Sequence, residues 1–151
     1  MASSPTAEGL KGIDGTSNTN VFAVGNYGTV LHYDGTWSAR SPPTGSHLQS
    51  VWVSPTDVYV SGTDGYVGHY DYSTWTDISP AATATETLYR VWQAPGGEVL
   101  VSGSGGVLMQ WDGNLWTPLD PGSNLFLYDL DGTSLDDLFV VTTNAAVLHR
   151  D

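Results

Sequence analysis

The chain has 151 residues, with 18 glycines, no cysteine, and four Lys+Arg against 16 Asp+Glu for a net charge of −12. Lack of cysteine excludes a disulfide scaffold, a zinc ribbon and a thiol nucleophile, and a surface this acidic suits neither nucleic acid nor anionic membranes. Hydrophobic residues at 40% and aromatic residues at 11% exceed what a disordered chain carries, so one folded domain over residues 1–151 is expected.

In chain order, the N-terminus comes first. Met1-Ala-Ser-Ser-Pro5 has neither a basic start nor an apolar stretch, so no signal peptide is expected there. No apolar run reaches the ~20 residues of a membrane helix. From Leu10 a pattern begins that recurs four times. Its most regular part reads Asn20-Val-Phe-Ala-Val-Gly25, then Asp57-Val-Tyr-Val-Ser-Gly62, Glu98-Val-Leu-Val-Ser-Gly103 and Asp137-Leu-Phe-Val-Val-Thr142, with starts 37, 41 and 39 residues apart. Upstream of each lies a leucine (Leu10, Leu48, Leu88, Leu127) with an aliphatic partner three residues on (Ile13, Val51, Val91, Leu130). Downstream come Val30-Leu-His-Tyr33, Val67-Gly-His-Tyr70, Leu108-Met-Gln-Trp111 and Val147-Leu-His-Arg150, each followed by an aspartate. Three units continue to Trp37, Trp75 and Trp116.

Each unit therefore holds short runs of β-branched and aromatic residues separated by Gly, Asn, Asp, Ser and Pro, the chemistry of strands and turns. Asn26-Tyr-Gly28, Thr63-Asp-Gly65 and Ser104-Gly-Gly106 fall where a tight hairpin reverses, and glycine admits the positive φ such a turn demands. The fourth unit has Ala145 at that position, so a different turn is expected there. No segment sustains a 3.6-residue apolar period, which leaves little room for helix. Four-stranded units at a period of ~40 residues read as blades of an all-β propeller. The expected repeats are about 10–47, 48–87, 88–126, and 127–151 completed by 1–9.

The pattern Leu48-x-x-Val51-Trp52, Asp57-Val-Tyr-Val-x-Gly62, Gly65-x-Val67-x-His69-Tyr70-Asp71 and Trp75 resembles the β-propeller repeats of many bacterial, often extracytoplasmic, proteins. Such a resemblance implies the fold and an extracytoplasmic setting, while propellers serve as binding modules, scaffolds and enzymes alike. Tyr33-Asp-Gly-Thr-Trp37 is similar to the Asp-box corner of sialidase-like propellers, without the residue between Asp and Gly. Asp129-Leu-Asp-Gly-Thr-Ser-Leu-Asp-Asp137 is similar to the calcium loop of integrin-type repeats. Asp129, Asp131 and Asp137 match that loop, with Thr133 in place of an aspartate and Ser134 in place of a glycine. Calcium held by these side chains and backbone carbonyls is one reading, and a solvated Asp-Gly turn is the other. No other cofactor is implied.

No catalytic constellation is evident. The Gly-x-Ser-x-Gly elbow is missing, and Lys11 is the only lysine, which removes a phosphate-cradling loop. His32, His69 and His149 share one column of the third strand, so they belong to different blades. They are expected to bond a neighbouring blade or turn and not to share a metal. Trp37, Trp75 and Trp116 open the outermost strand and are expected to pack over the adjacent blade. Trp52 and Trp92 end the innermost strand, in the same column as Asp14 and Asp131. At one mouth of the ring they would suit stacking on a sugar, with the acids accepting hydroxyl hydrogens; packing between blades is the alternative. The favoured function is a non-catalytic, lectin-like binding module for a glycan. A protein-interaction or structural scaffold is the alternative.

The termini bear on ring closure. His149-Arg-Asp151 aligns with His32-Tyr-Asp34, and Met1-Ala-Ser-Ser-Pro5 aligns with Ser38-Ala-Arg-Ser-Pro42. An N-terminal strand is therefore expected to pair with the last blade, whose edge would otherwise be open. Within one chain that clasp closes a four-bladed monomer; between two chains it closes an eight-bladed, strand-exchanged homodimer. Tethering favours the single chain.

Overall fold

A computed structural model describes residues 5–151. The first sheet comprises β1 (Leu10–Ser17), β2 (Asn20–Gly25), β3 (Val30–Tyr33) and β4 (Trp37–Ala39). The second holds β5 (Leu48–Val53), β6 (Val58–Gly62), β7 (Val67–Tyr70) and β8 (Trp75–Asp77). The third holds β9 (Leu88–Gln93), β10 (Val99–Gly103), β11 (Leu108–Trp111) and β12 (Trp116–Pro118). The fourth has three strands, β13 (Leu127–Ser134), β14 (Asp137–Thr142) and β15 (Val147–Arg150). Every neighbouring pair is antiparallel and follows chain order, as in a propeller blade. The strand expected to complete the fourth blade falls partly on residues 1–4, outside the described residues; residues 5–9 form no strand. No helix is long and apolar enough to cross a membrane.

The turn between the second and third strand has the same central backbone conformation in all four blades. Both central residues take positive φ: Tyr27 and Gly28, Asp64 and Gly65, Gly105 and Gly106, and Asn144 and Ala145. The fourth turn differs, as expected, in how it closes: Thr29, Tyr66 and Val107 N–H donate to the Asn26, Thr63 and Ser104 carbonyls, whereas the Thr143 carbonyl accepts the Thr142 hydroxyl. Ala145 adopts φ 56°, because the reversal of a two-residue hairpin leaves no other backbone path. Left-handed alanine costs roughly 1 kcal/mol. The three glycines are required for a second reason. A Cβ on Gly28, Gly65 or Gly106 would lie 2.3, 2.1 or 2.4 Å from the carbonyl oxygen of Thr44, Thr83 or Ser123, in the segment leading to the next blade.

Blades stack through three apolar interfaces built on one plan. Phe22, Val24 and Val30 of the first blade meet Leu48, Val51, Val58 and Val60 of the second. Tyr59 and Val67 of the second meet Leu88, Val91, Val99, Val101 and Met109 of the third. Leu100 and Leu108 of the third meet Leu127, Leu130, Leu138 and Val140 of the fourth. Burying one such side chain is worth about 2 kcal/mol, so these seams carry the fold. Two of the three outer-strand tryptophans pin the first two seams, as expected, whereas Trp37 lies against Tyr33 of its own blade. Trp75 Nε1 donates to the Arg40 carbonyl (2.6 Å), and Trp116 Nε1 donates to that of Ile78, each reaching the preceding blade.

The stack has two open ends. Ile13 is 68% exposed, whereas Val51, Val91 and Leu130 in the same column are at most 2% exposed. At the far end Phe139 and Val147 are 45% and 62% exposed, whereas Phe22 and Val30 are fully buried. Closure within one chain, which tethering favours, would cover both surfaces, and both stand open.

Candidate functional site

Each innermost strand carries an irregularity at the same place. In β1 the register passes from Leu10↔Gly25 to Gly12↔Val24, and in β5 from Leu48↔Gly62 to Ser50↔Ser61. In β9 it passes from Leu88↔Gly103 to Arg90↔Ser102, and in β13 from Leu127↔Thr142 to Asp129↔Val141. The skipped residues are Lys11, Gln49, Tyr89 and Tyr128. A β-bulge leaves its extra residue without a ladder partner and re-aims its side chain. All four line one concave cavity of about 330 Å³ enclosed by the innermost strands, together with Arg90 and Asp129.

This wall differs from the rest of the protein in two ways. It gathers Lys11 and Arg90, two of the four basic residues in a chain of net charge −12. It also presents aromatic surface. Tyr89 packs 5.0 Å from Tyr128 and 6.3 Å from Phe126, centroid to centroid, and Tyr128 is exposed. Burial and the neighbouring Tyr128 and Glu86 push the Tyr89 hydroxyl above its ordinary range, so it stays a neutral donor. Arg90 Nε lies 3.0 Å from Asp129 Oδ1 as an ion pair across the third and fourth blades, without the alignment of a hydrogen bond. Nε itself is buried, so a further acceptor can meet only the terminal guanidinium nitrogens.

Of the residues singled out in the sequence, Asp129 lines this cavity and the others sit elsewhere. Trp92 is 7% exposed and packs in the seam between the third and fourth blades. Trp52 is half-buried against both the second and third seams. Asp14 Oδ2 accepts the Val53 N–H of the next blade (2.8 Å), a structural tie. Asp131 Oδ1 accepts the N–H of Gly132 (2.9 Å), beside the exposed Phe139. The candidate calcium ligands are likewise engaged with different partners. Asp129 takes the Leu130 N–H and Arg90, while Asp137 takes the Thr133 hydroxyl (2.6 Å) and His149 (3.0 Å). The Thr133 hydroxyl first, then His149, holds the Asp137 carboxyl below its usual range. Among the described residues, no three His, Asp or Glu side chains converge as a metal site would require.

The histidine column bonds the turn between the first and second strands of its own blade, not the neighbouring blade. His32, His69 and His149 meet Asn20, Asp57 and Asp137 at the start of the second strand (3.0, 2.6 and 3.0 Å). Each ring also stacks on the aromatic two residues beyond that partner, Phe22, Tyr59 or Phe139. The aspartate column closes the next turn. Asp71 accepts from the Thr74 and Ser73 N–H groups, and Asp112 from those of Leu115 and Asn114, which lowers both carboxyls.

No family model matches the chain, and no curated protein matches it in sequence. Its likeness is to solved structures. It superposes over 98% of its length on 94% of the computationally designed Ika4 protein, with a TM-score of 0.79 at 16% identity. For YCF48 from Cyanidioschyzon merolae the TM-score is 0.74 at 16% identity, covering 93% of this chain and 50% of that one. For the WD40 beta propeller domain of Doa1 it is 0.73 at 14% identity, covering 96% and 53%. The chain thus spans about half the length of YCF48 and of the Doa1 domain. YCF48 has also been solved bound to D1 peptide. Identities this low speak for the propeller fold alone.

Proposed function

We propose that this chain is a non-catalytic protein-interaction propeller that seats a peptide segment of its partner on the bulged axial wall. The observation that carries this reading is the fourfold bulge, which aims Lys11, Gln49, Tyr89 and Tyr128 into one cavity. Tyrosine offers a large amphipathic contact at low entropic cost, and glutamine reads backbone amides. Lys11 and Arg90 suit a carboxylate, so the peptide carries an acidic side chain or its own C-terminus. Recognition of peptide by one fold-level neighbour, YCF48 with D1 peptide, supports the class of ligand.

The carbohydrate reading depends on Trp52 and Trp92 as stacking surfaces, and their packing removes its main support. Selection from a displayed peptide library, followed by fluorescence anisotropy, tests the proposal. The selected peptide should lose roughly tenfold or more in affinity against Tyr128→Ala, with an unchanged melting curve because that ring is exposed. Amidating the peptide's carboxylates should weaken it comparably. Binding on a glycan array, with no peptide recovered, would reverse the assignment.

A further inference from the structure

We infer that two copies of this chain join head to tail into one eight-bladed ring. The two open ends are the halves of a seam already seen three times in the molecule. Phe139, Val141 and Val147 occupy the columns of Phe22, Val24 and Val30, which are fully buried against the second blade. Leu10 and Ile13 occupy the columns of Leu48 and Val51, which receive them. The far face of the fourth blade is therefore complementary to the near face of the first by the same rule that joins each blade to the next. Neither face complements itself, so the joint is head to tail.

A polar tie repeats at the same place. Asp14 accepts the Val53 N–H across the first seam. Asp131 stands in the Asp14 column and Gly15 in the Val53 column, so Asp131 of one copy faces the Gly15 N–H of the other. Curvature selects the number of copies. The four blades cover 53% of the length of the Doa1 propeller domain, so the fold also accommodates more than four blades. Propellers close with four to eight blades, so repeating a four-blade arc admits one copy or two. One copy leaves Ile13 and Val147 open. Two copies close both joints at once, with a twofold axis along the channel.

Ala145 marks where this joint departs from the other three. Its methyl stands where Gly28, Gly65 and Gly106 admit the carbonyl of the next blade's leading segment. Residues 5–9 of the second copy must therefore sit farther out than their counterparts, which makes the joint looser than the seams within a chain. Two bodies of net charge −12 also repel one another, so added salt strengthens the ring.

Light scattering on the 151-residue chain is the test, with circular dichroism to follow the fold. The wild type should show twice the 16.1 kDa chain mass, increasingly so at higher salt. Ile13→Asp and Phe139→Asp each place a charge on a surface that is open in the single chain, so each should keep the β spectrum and fall to 16.1 kDa. Mixing the two variants should restore the doubled species, because one of the two joints then joins intact faces. Ala145→Gly should lower the dissociation constant several-fold. A wild type that stays at 16.1 kDa at every concentration, or variants that remain doubled, would overturn the inference. So would a mixture that fails to recover, or a single variant that stays doubled, which is what face-to-face pairing gives.

Discussion

Blades two and three differ from blades one and four chiefly in having a neighbour on both sides. Ile13 and Val51 are both aliphatic, hold the same column and follow a leucine by three residues, yet one is 68% exposed and the other 2%. Phe22 and Phe139 make the same contrast, each stacked on its own histidine, one fully buried and the other 45% exposed. Residue type sets what a blade offers; the adjoining blade decides whether that surface contributes to stability. Stability in such a stack is close to a sum over blades and seams.

That contrast is broken most strongly at the leucine column. Leu88→Ala, inside the second seam, should destabilise the chain by about 3 kcal/mol in denaturant titration. Leu10→Ala in the dilute single chain should cost less than about 1 kcal/mol, because Leu10 is already 42% exposed. Equal losses would mean that the first blade is as well covered as the third.

Alkaline pH provides a second probe of the inner seams. Burial, with the nearby charges of Asp57 and Asp77, raises the Tyr59 and Tyr66 hydroxyls from 10.0 to about 12. A folded pKa above the unfolded one means that the folded state prefers the neutral phenol. Its contribution is complete below pH 10.0 and is lost as pH rises through about 12. Melting temperature should therefore fall across that window, and tyrosinate absorbance should appear with unfolding. Ionisation of Tyr59 and Tyr66 before any melting would contradict the packing of these two rings.

The smallest effect sharpens the comparison within one column. Val24, Ser61, Ser102 and Val141 are equivalent, and the Ser61 and Ser102 hydroxyls are buried without a partner among the described residues. Ser61→Ala should stabilise the chain by about 1 kcal/mol, since it removes an unsatisfied hydroxyl and adds no volume. A loss of stability there would mean that the hydroxyl has a bound partner, such as an ordered water.

Much of the architecture is legible in the sequence because a fourfold echo fixes strand starts, turns and the tryptophan pins together. Periodicity reports which residues share a column, and columns map directly onto strands. It reports neither the angle between blades nor whether a ring closes, because curvature arises from side-chain volumes across three seams. Ala145 misleads only about the backbone, for a related reason: hairpin geometry overrides a residue's own preference at modest cost. The axial site lies three positions before the Trp52 column, which is near the end of the innermost strand: the bulge leaves Gln49 without a ladder partner on the cavity wall, and a bulge has no mark in the repeat spacing. A signal was nonetheless present. Lys11, Gln49, Tyr89 and Tyr128, with Gly12, Ser50, Arg90 and Asp129 after them, are two columns where the four copies diverge, between the leucine and aliphatic columns where they agree.

The bulge residues have one more consequence, for evolution and design. A side chain with no cross-strand partner and no place in a seam can be exchanged without renegotiating the core. Four such positions, one per blade, amount to a small recognition alphabet written on a fixed frame. Randomising them together should yield folded proteins of varied specificity, and a duplicated blade would bring one additional letter with it.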